Sequence, residues 1–229
     1  MKNTIDINKL EMREVHLNCP VKTDDLIQLQ LGDLVYLSGI IFTGREGMYK
    51  RLIDQGLELP VPISKISNVN FHCSPAASAG KEGYVVKAVT ATASFRLSKW
   101  MKEFFKKTNC KIIIGKAGMT SDDYKKLFVP AGAFYLTTVG YGLGATYGSS
   151  IRNVHDAYWL EELGLAQAVW VLEVEKMGPF IVESDNQGNS LFELCNQQVN
   201  KNLKDLYGKL PQPVLSRYGE EMDRDHEVI

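Results

Sequence analysis

Cysteine is scarce in this chain of 229 residues. There are four, Cys19, Cys73, Cys110 and Cys195, and no two form a C-x-x-C pair. The four histidines, His16, His72, His155 and His226, are equally scattered. Zinc and redox motifs need ligands at short, fixed spacing, so the sequence offers no metal site of its own. The apolar neighbours of the cysteines predict reduced core thiols. Long apolar runs are also missing: nothing approaches the roughly 20 residues of a membrane-crossing helix. The opening MKNTIDINKLEMREV has no apolar core of the signal-peptide kind. Charge of one sign is missing too, with 26 Lys and Arg against 27 Asp and Glu. A nucleic-acid surface would need clustered cations. Internal repeats and low-complexity segments are absent. The expectation is a cytoplasmic protein with no nucleic acid and no membrane among its partners.

What is present is ordinary globular material, 45% hydrophobic and 23% charged. That is enough for one substantial core. Residues 1–18 read as a polar lead-in, 19–195 as the folded domain, and 196–229 as an extension, helical at first and then solvated. LGDLVYLSGIIFTG reads as a buried strand. REGMYKRLIDQG reads as a helix stopped at Gly56. VNFHCSP, YVVKAVTAT and CKIIIG read as strands. From Arg96, the residues Leu97, Trp100, Met101, Phe104 and Phe105 fall at i, i+3, i+4, i+7 and i+8, an amphipathic helix. Thr120 and Asp123 stand at capping-box spacing. A strand and a glycine-rich loop follow. HDAYWLEELG reads as a helix, AQAVWVLEVEKM as a strand, and PFIVESDNQGNSLFE as a hairpin turning at Asn186–Asn189. Recurring strand–turn–helix units predict a single α/β domain.

Three of those turns carry a cation beside small residues: Thr43-Gly44-Arg45, Thr92-Ala93-Ser94-Phe95-Arg96, and Gly115-Lys116-Ala117-Gly118. In parallel strands the carboxyl ends share one edge, where ligands of open α/β sheets bind. Helix N-termini add unpaired N–H groups. Arginine's planar fork suits a carboxylate. Each cation could equally pair with a local acid such as Glu46 or Asp122. Ser94 reads as an N-cap. The turn Thr92–Arg96 is therefore expected both to cap a helix and to hold an anion.

The segments GDLVYLSGIIFTGRE, KRL, HCSP, TATASFRL, IIIGKAGM and WLEELGLAQAVWVLEVEKMGPFIVESDNQGN, in that order, resemble the C-terminal domain or β subunit of class I fumarases and L-tartrate dehydratases. The resemblance runs from about Leu31 to Leu191. It implies a three-layer β/β/α swivelling-type fold and an iron–sulfur hydro-lyase acting on a four-carbon dicarboxylate. It implies that a 4Fe–4S cluster is carried by a partner α subunit, with none bound by this chain. A homodimer or heterotetramer would follow. Carried over by position, Arg45, Arg96, Lys116 and Gly118 would bind substrate carboxylates. Thr92, with Ser94, would position or shuttle a proton. This sequence departs from the family at Glu46 for aspartate, Tyr49 for histidine, Thr90-Ala91 for Gly-Pro, Ala93 for a second threonine, and Ala117 for glycine. The cations are kept while hydroxyl and acid neighbours differ.

Removing a proton beside a carboxylate builds charge on that carboxylate, which fixed cations stabilise more than they stabilise the ground state. Departing hydroxide needs a Lewis acid. The chain therefore supplies half of a site. Two other readings stand beside this one. A divergent, non-catalytic carboxylate-binding or regulatory subunit would keep the cations without turnover. A nucleotide-binding enzyme would use VGYGLGATYG, but its glycines miss the G-x-G-x-x-G spacing and no helix is expected directly after them.

Overall fold

The computed structural model describes residues 10–59, 61–81, 83–140 and 142–209. The solvated end of the C-terminal extension and the first nine residues of the lead-in lie outside the described residues. Nine strands are present among them: β1 Glu14–Cys19, β2 Leu34–Thr43, β3 Val69–Phe71, β4 Cys73–Gly80, β5 Gly83–Ala91, β6 Ile112–Gly115, β7 Phe134–Thr138, β8 Ile151–Tyr158 and β9 Val169–Val182. The helices that matter below are α1 Glu46–Tyr49, continued by a π-type turn Lys50–Asp54, then α2 Ser98–Thr108, α3 Gly144–Ser149, α4 Leu160–Leu163 and α5 Leu191–Tyr207.

Seven strands join in the order β1-β2-β3-β6-β7-β9-β8, and β9 also pairs with β2. The β1–β2, β2–β3, β3–β6 and β6–β7 pairs are parallel, whereas β9 runs antiparallel to β2, β7 and β8. β2, β3, β6, β7 and β9 thus form a closed circuit. β4 and β5 form a separate antiparallel hairpin. The fold is a mixed α/β single domain built around its sheet.

Side-chain alternation divides the core. Ile112 and Ile114 of β6, with Phe134 and Leu136 of β7, pack with Val35, Leu37, Phe180 and Val182. The intervening Ile113 and Tyr135 face the helices, packing with Trp100, Met101, Phe104 and Phe105. The apolar stripe read from the sequence is therefore the buried face of α2 and the turn before it.

Four sequence expectations change. Residues 14–18, read as lead-in, belong to strand β1, paired along its length with β2. HDAYWLEELG is not one helix: it begins in β8, paired with β9, and only Leu160–Leu163 is helical. The strand and the hairpin arm expected after it are one 14-residue strand, β9. A short helix, α3, does open directly after the glycine-rich loop. A Cβ on Gly148 would lie 2.2 Å from the Lys87 carbonyl oxygen, so that glycine lets α3 lie on the β5 backbone. The capping box at Thr120 and Asp123 forms as expected.

Candidate active site

β2, β3 and β6 are adjacent and parallel, so their carboxyl ends open at one edge. Arg45 leaves β2 there, in extended backbone just before α1. Thr92–Arg96 follows β5 into the 3-10 turn that starts α2. Lys116 follows β6. Backbone bonds lock the last two turns together: Lys116 N–H donates to the Thr92 carbonyl at 3.2 Å, and Ser94 N–H to the Lys116 carbonyl at 3.4 Å.

The two arginines share one electrostatic neighbourhood. Burial, and then the charge of Arg96, push the Arg45 pKa down. Arg45 Nη1 donates to Ser74 Oγ, and to the Ala166 carbonyl at 3.2 Å. Its Nε is buried and has no partner among the described residues. Arg96 Nη1 stands 3.9 Å from Glu46 Oε2, while Lys50 holds the other oxygen of that carboxylate at 2.7 Å. Lys50, and then Arg96 and Lys99, hold the Glu46 carboxyl below its ordinary range. One carboxylate thus serves several cations. An incoming anion would relieve the repulsion between the arginines.

The remaining predicted residues are placed differently. Thr92 is buried beside the Lys116 turn, and its N–H donates to the His72 carbonyl at 2.7 Å. Ser94 occupies the backbone position before the turn, but its side chain makes no capping bond. Its hydroxyl points inward, to His72 Nδ1 at 2.7 Å and Tyr135 Oη at 2.8 Å. The cap expected of Ser94 is therefore absent, because two interior partners take its hydroxyl. Gly118 is buried at φ 69°. A Cβ there would meet Tyr124 Oη at 3.0 Å and Phe192 at 3.2 Å, so the space it leaves is filled from within.

Lys116 is exposed and lines a cavity of roughly 560 Å³ that neither arginine lines. Thr137, Thr138, Leu143, Tyr147 and Phe192 contribute to its walls. The structure thus joins Arg45, Arg96 and Glu46 side by side, joins Thr92 and Ser94 to the Lys116 backbone, and turns toward Lys116 a mostly apolar hollow. Sequence reading missed Tyr49, His72, Ser74 and Tyr135 as supports of these turns. Their signal was faint: His72 directly precedes Cys73-Ser74-Pro75, but its partners lie more than 20 residues away.

The residues do not fit an iron–sulfur cluster. Among the described residues, no group of three or more His, Cys, Asp and Glu side chains could hold a metal ion. The four cysteines are free. Burial pushes the thiols of Cys19 and Cys110 up to about 12, against the thiolate a cluster requires. No helix of the described residues is long and apolar enough to cross a membrane.

A family model described as Fumarase C-terminus matches residues 2–195. A putative L(+)-tartrate dehydratase subunit beta of Methanocaldococcus jannaschii is 35% identical over 187 residues, 80% of this chain and 94% of the relative. The L(+)-tartrate dehydratase subunit beta of Escherichia coli is 30% identical over 183 residues, 76% of this chain and 85% of the relative. A putative class I fumarate hydratase of Geobacillus stearothermophilus is 30% identical over 207 residues, 90% of this chain but 38% of that longer protein.

Proposed function

Because the chain belongs to the fumarase C-terminus family, we propose that it is the β subunit of a hydro-lyase that reversibly adds or removes water on a C4 dicarboxylate. The substrate is of the fumarate/malate or L-tartrate/oxaloacetate type. The observation that carries this reading is the arginine pair. Arg45 has a buried, unpartnered Nε and Arg96 beside it. Arg45 and Arg96 bind a substrate carboxylate, and Lys116 provides the second cationic anchor. As the proton leaves the adjacent carbon, charge moves onto the bound carboxylate. The Arg45 guanidinium is already held by Ser74 and the Ala166 carbonyl, so it needs little reorganisation as that charge develops. Thr92 sits at the Arg96 turn and relays the proton that leaves this carbon. Ser94 acts from beneath as a positioning residue.

The cluster that the family implies does not fit this chain's residues, so no step is assigned to it here. A separate α subunit carries it and closes the site. The test is co-expression with a cluster-bearing α subunit, anaerobic purification, and assay on fumarate, malate and L-tartrate. Turnover of one of them is expected, falling roughly 10²–10³-fold in Lys116→Ala. No turnover of any C4 dicarboxylate by an assembled, cluster-loaded complex would overturn the enzymatic reading. Retained binding of a dicarboxylate in that case would instead support the non-catalytic subunit.

A further inference from the structure

Beneath the cationic turns runs a line of polar side chains, all fully buried: Asn70, Tyr49, His72, Ser94 and Tyr135. Tyr49 Oη lies 3.1 Å from Asn70 Oδ1 and 2.7 Å from His72 Nε2. His72 Nδ1 lies 2.7 Å from Ser94 Oγ. Tyr135 Oη lies 2.8 Å from Ser94 Oγ and 3.3 Å from the Lys116 carbonyl. The line therefore touches every element that bears a candidate site residue. Tyr49 ends α1, which directly follows Arg45. Ser94 lies between Thr92 and Arg96. The far end rests on Lys116.

Counting protons gives the line a direction. A hydroxyl has one proton to donate, and a neutral imidazole has one N–H. Asn70 Nδ2 faces the Phe42 carbonyl at 3.4 Å, which turns Oδ1 toward Tyr49. Oδ1 only accepts, so the Tyr49 proton goes to it. Tyr49 then has nothing to give His72, and Nε2 must carry the ring proton and donate to Tyr49 Oη. Nδ1 is left bare and accepts from Ser94. Ser94 Oγ accepts in turn from Tyr135. Each buried group is satisfied once, which matters because an unpaired one is costly. The reverse direction would set a bare Tyr49 oxygen against Asn70 Oδ1. Burial, and then the charge of Arg96, hold His72 neutral, its pKa pushed down to about 3. The neighbouring backbone is shaped to the line. A Cβ on Gly115 would fall 2.0 Å from Ser94 Oγ and 2.6 Å from Tyr135 Oη.

We propose that His72 is a positioning residue, a neutral Nε2–H imidazole that holds Ser94, and through it the Thr92–Arg96 turn, in fixed relation to the Arg45 and Lys116 turns. The tautomer stands on geometry alone; its effect on turnover rests on the hydro-lyase reading above.

Two arms separate those parts. In the ¹⁵N-labelled full chain, a two-bond ¹H–¹⁵N spectrum should show His72 protonated at Nε2 and bare at Nδ1, unchanged from about pH 5 to 8, where an ordinary histidine titrates. Asn70→Leu should move the proton to Nδ1, because Tyr49 is then free to donate to Nε2. A wild-type Nδ1–H form, or titration of His72 near its ordinary value, overturns the proposal whether or not that variant folds. In the assembled enzyme, Tyr49→Phe and Ser94→Ala should each lower kcat/KM by up to about 10²-fold, and the double variant should lose no more than the worse single one. Losses that multiply would show two independent packing defects and overturn the positioning role. An inactive complex that still shows the Nε2–H form would overturn the hydro-lyase reading and leave the tautomer standing.

Discussion

Ala117, between Lys116 and Gly118, sits at φ 67°, in the left-handed region where a Cβ crowds the following carbonyl. The strain there is roughly 1–2 kcal/mol, against roughly 0.4–1 kcal/mol for the extra unfolded-state freedom of a glycine. Ala117→Gly should therefore stabilise the chain by about 0.5–1 kcal/mol, read as a higher urea midpoint at unchanged slope. Glu183 is the other unusual residue. It is fully buried, Ser190 Oγ donates to its Oε1 at 2.5 Å, and its Oε2 has no partner among the described residues. Burial pushes its carboxyl up to about 7 from 4.5. Between those values the native state holds a proton that the unfolded chain has released. The contribution is thus full below about 4.5 and lost as pH rises through about 7. Glu183→Gln should leave stability near pH 4 little changed and raise it near pH 8 by on the order of 3 kcal/mol. Denaturant melts at both pH values check this; equal effects at both would contradict it. None of this was legible in the sequence. Ala117 reads as small and Glu183 as charged, and neither a φ angle nor a missing partner is written in a residue type.

At the scale of elements, legibility followed how local the determinants are. Helix α2 shows in its spacing, since Trp100, Met101, Phe104 and Phe105 lie on one face within three turns. The capping box needs only Thr120 and Asp123, three residues apart. Phe104→Ala should cost roughly 3–5 kcal/mol, seen as a lower denaturation midpoint, because the ring packs against Phe42, Tyr49 and Phe105 with nothing to refill its place. β8 was misread because its polar residues give no alternation; its pairing with β9 makes it a strand. The three cation-bearing turns were legible as small residues beside Arg45, Arg96 and Lys116. The orientation of Ser94 was not, since His72 and Tyr135 reach it from 22 and 41 residues away.

At the scale of the molecule, the closed circuit of strands carries the Arg45 and Lys116 turns at one sheet edge, the Arg96 turn, which follows the separate β4–β5 hairpin, is bonded to the Lys116 turn, and the buried hydroxyl–imidazole line ties the three from below. We propose that this frame binds and polarises a carboxylate; among the described residues no group fits the iron–sulfur cluster its family implies. In the proposed reading the chemistry is divided between two subunits. The most direct measurement is kcat/KM of the assembled α–β complex for its best C4 dicarboxylate, wild type against Arg96→Gln. The account predicts a fall of roughly 10²–10³-fold with assembly intact; a variant as active as the wild type would contradict it.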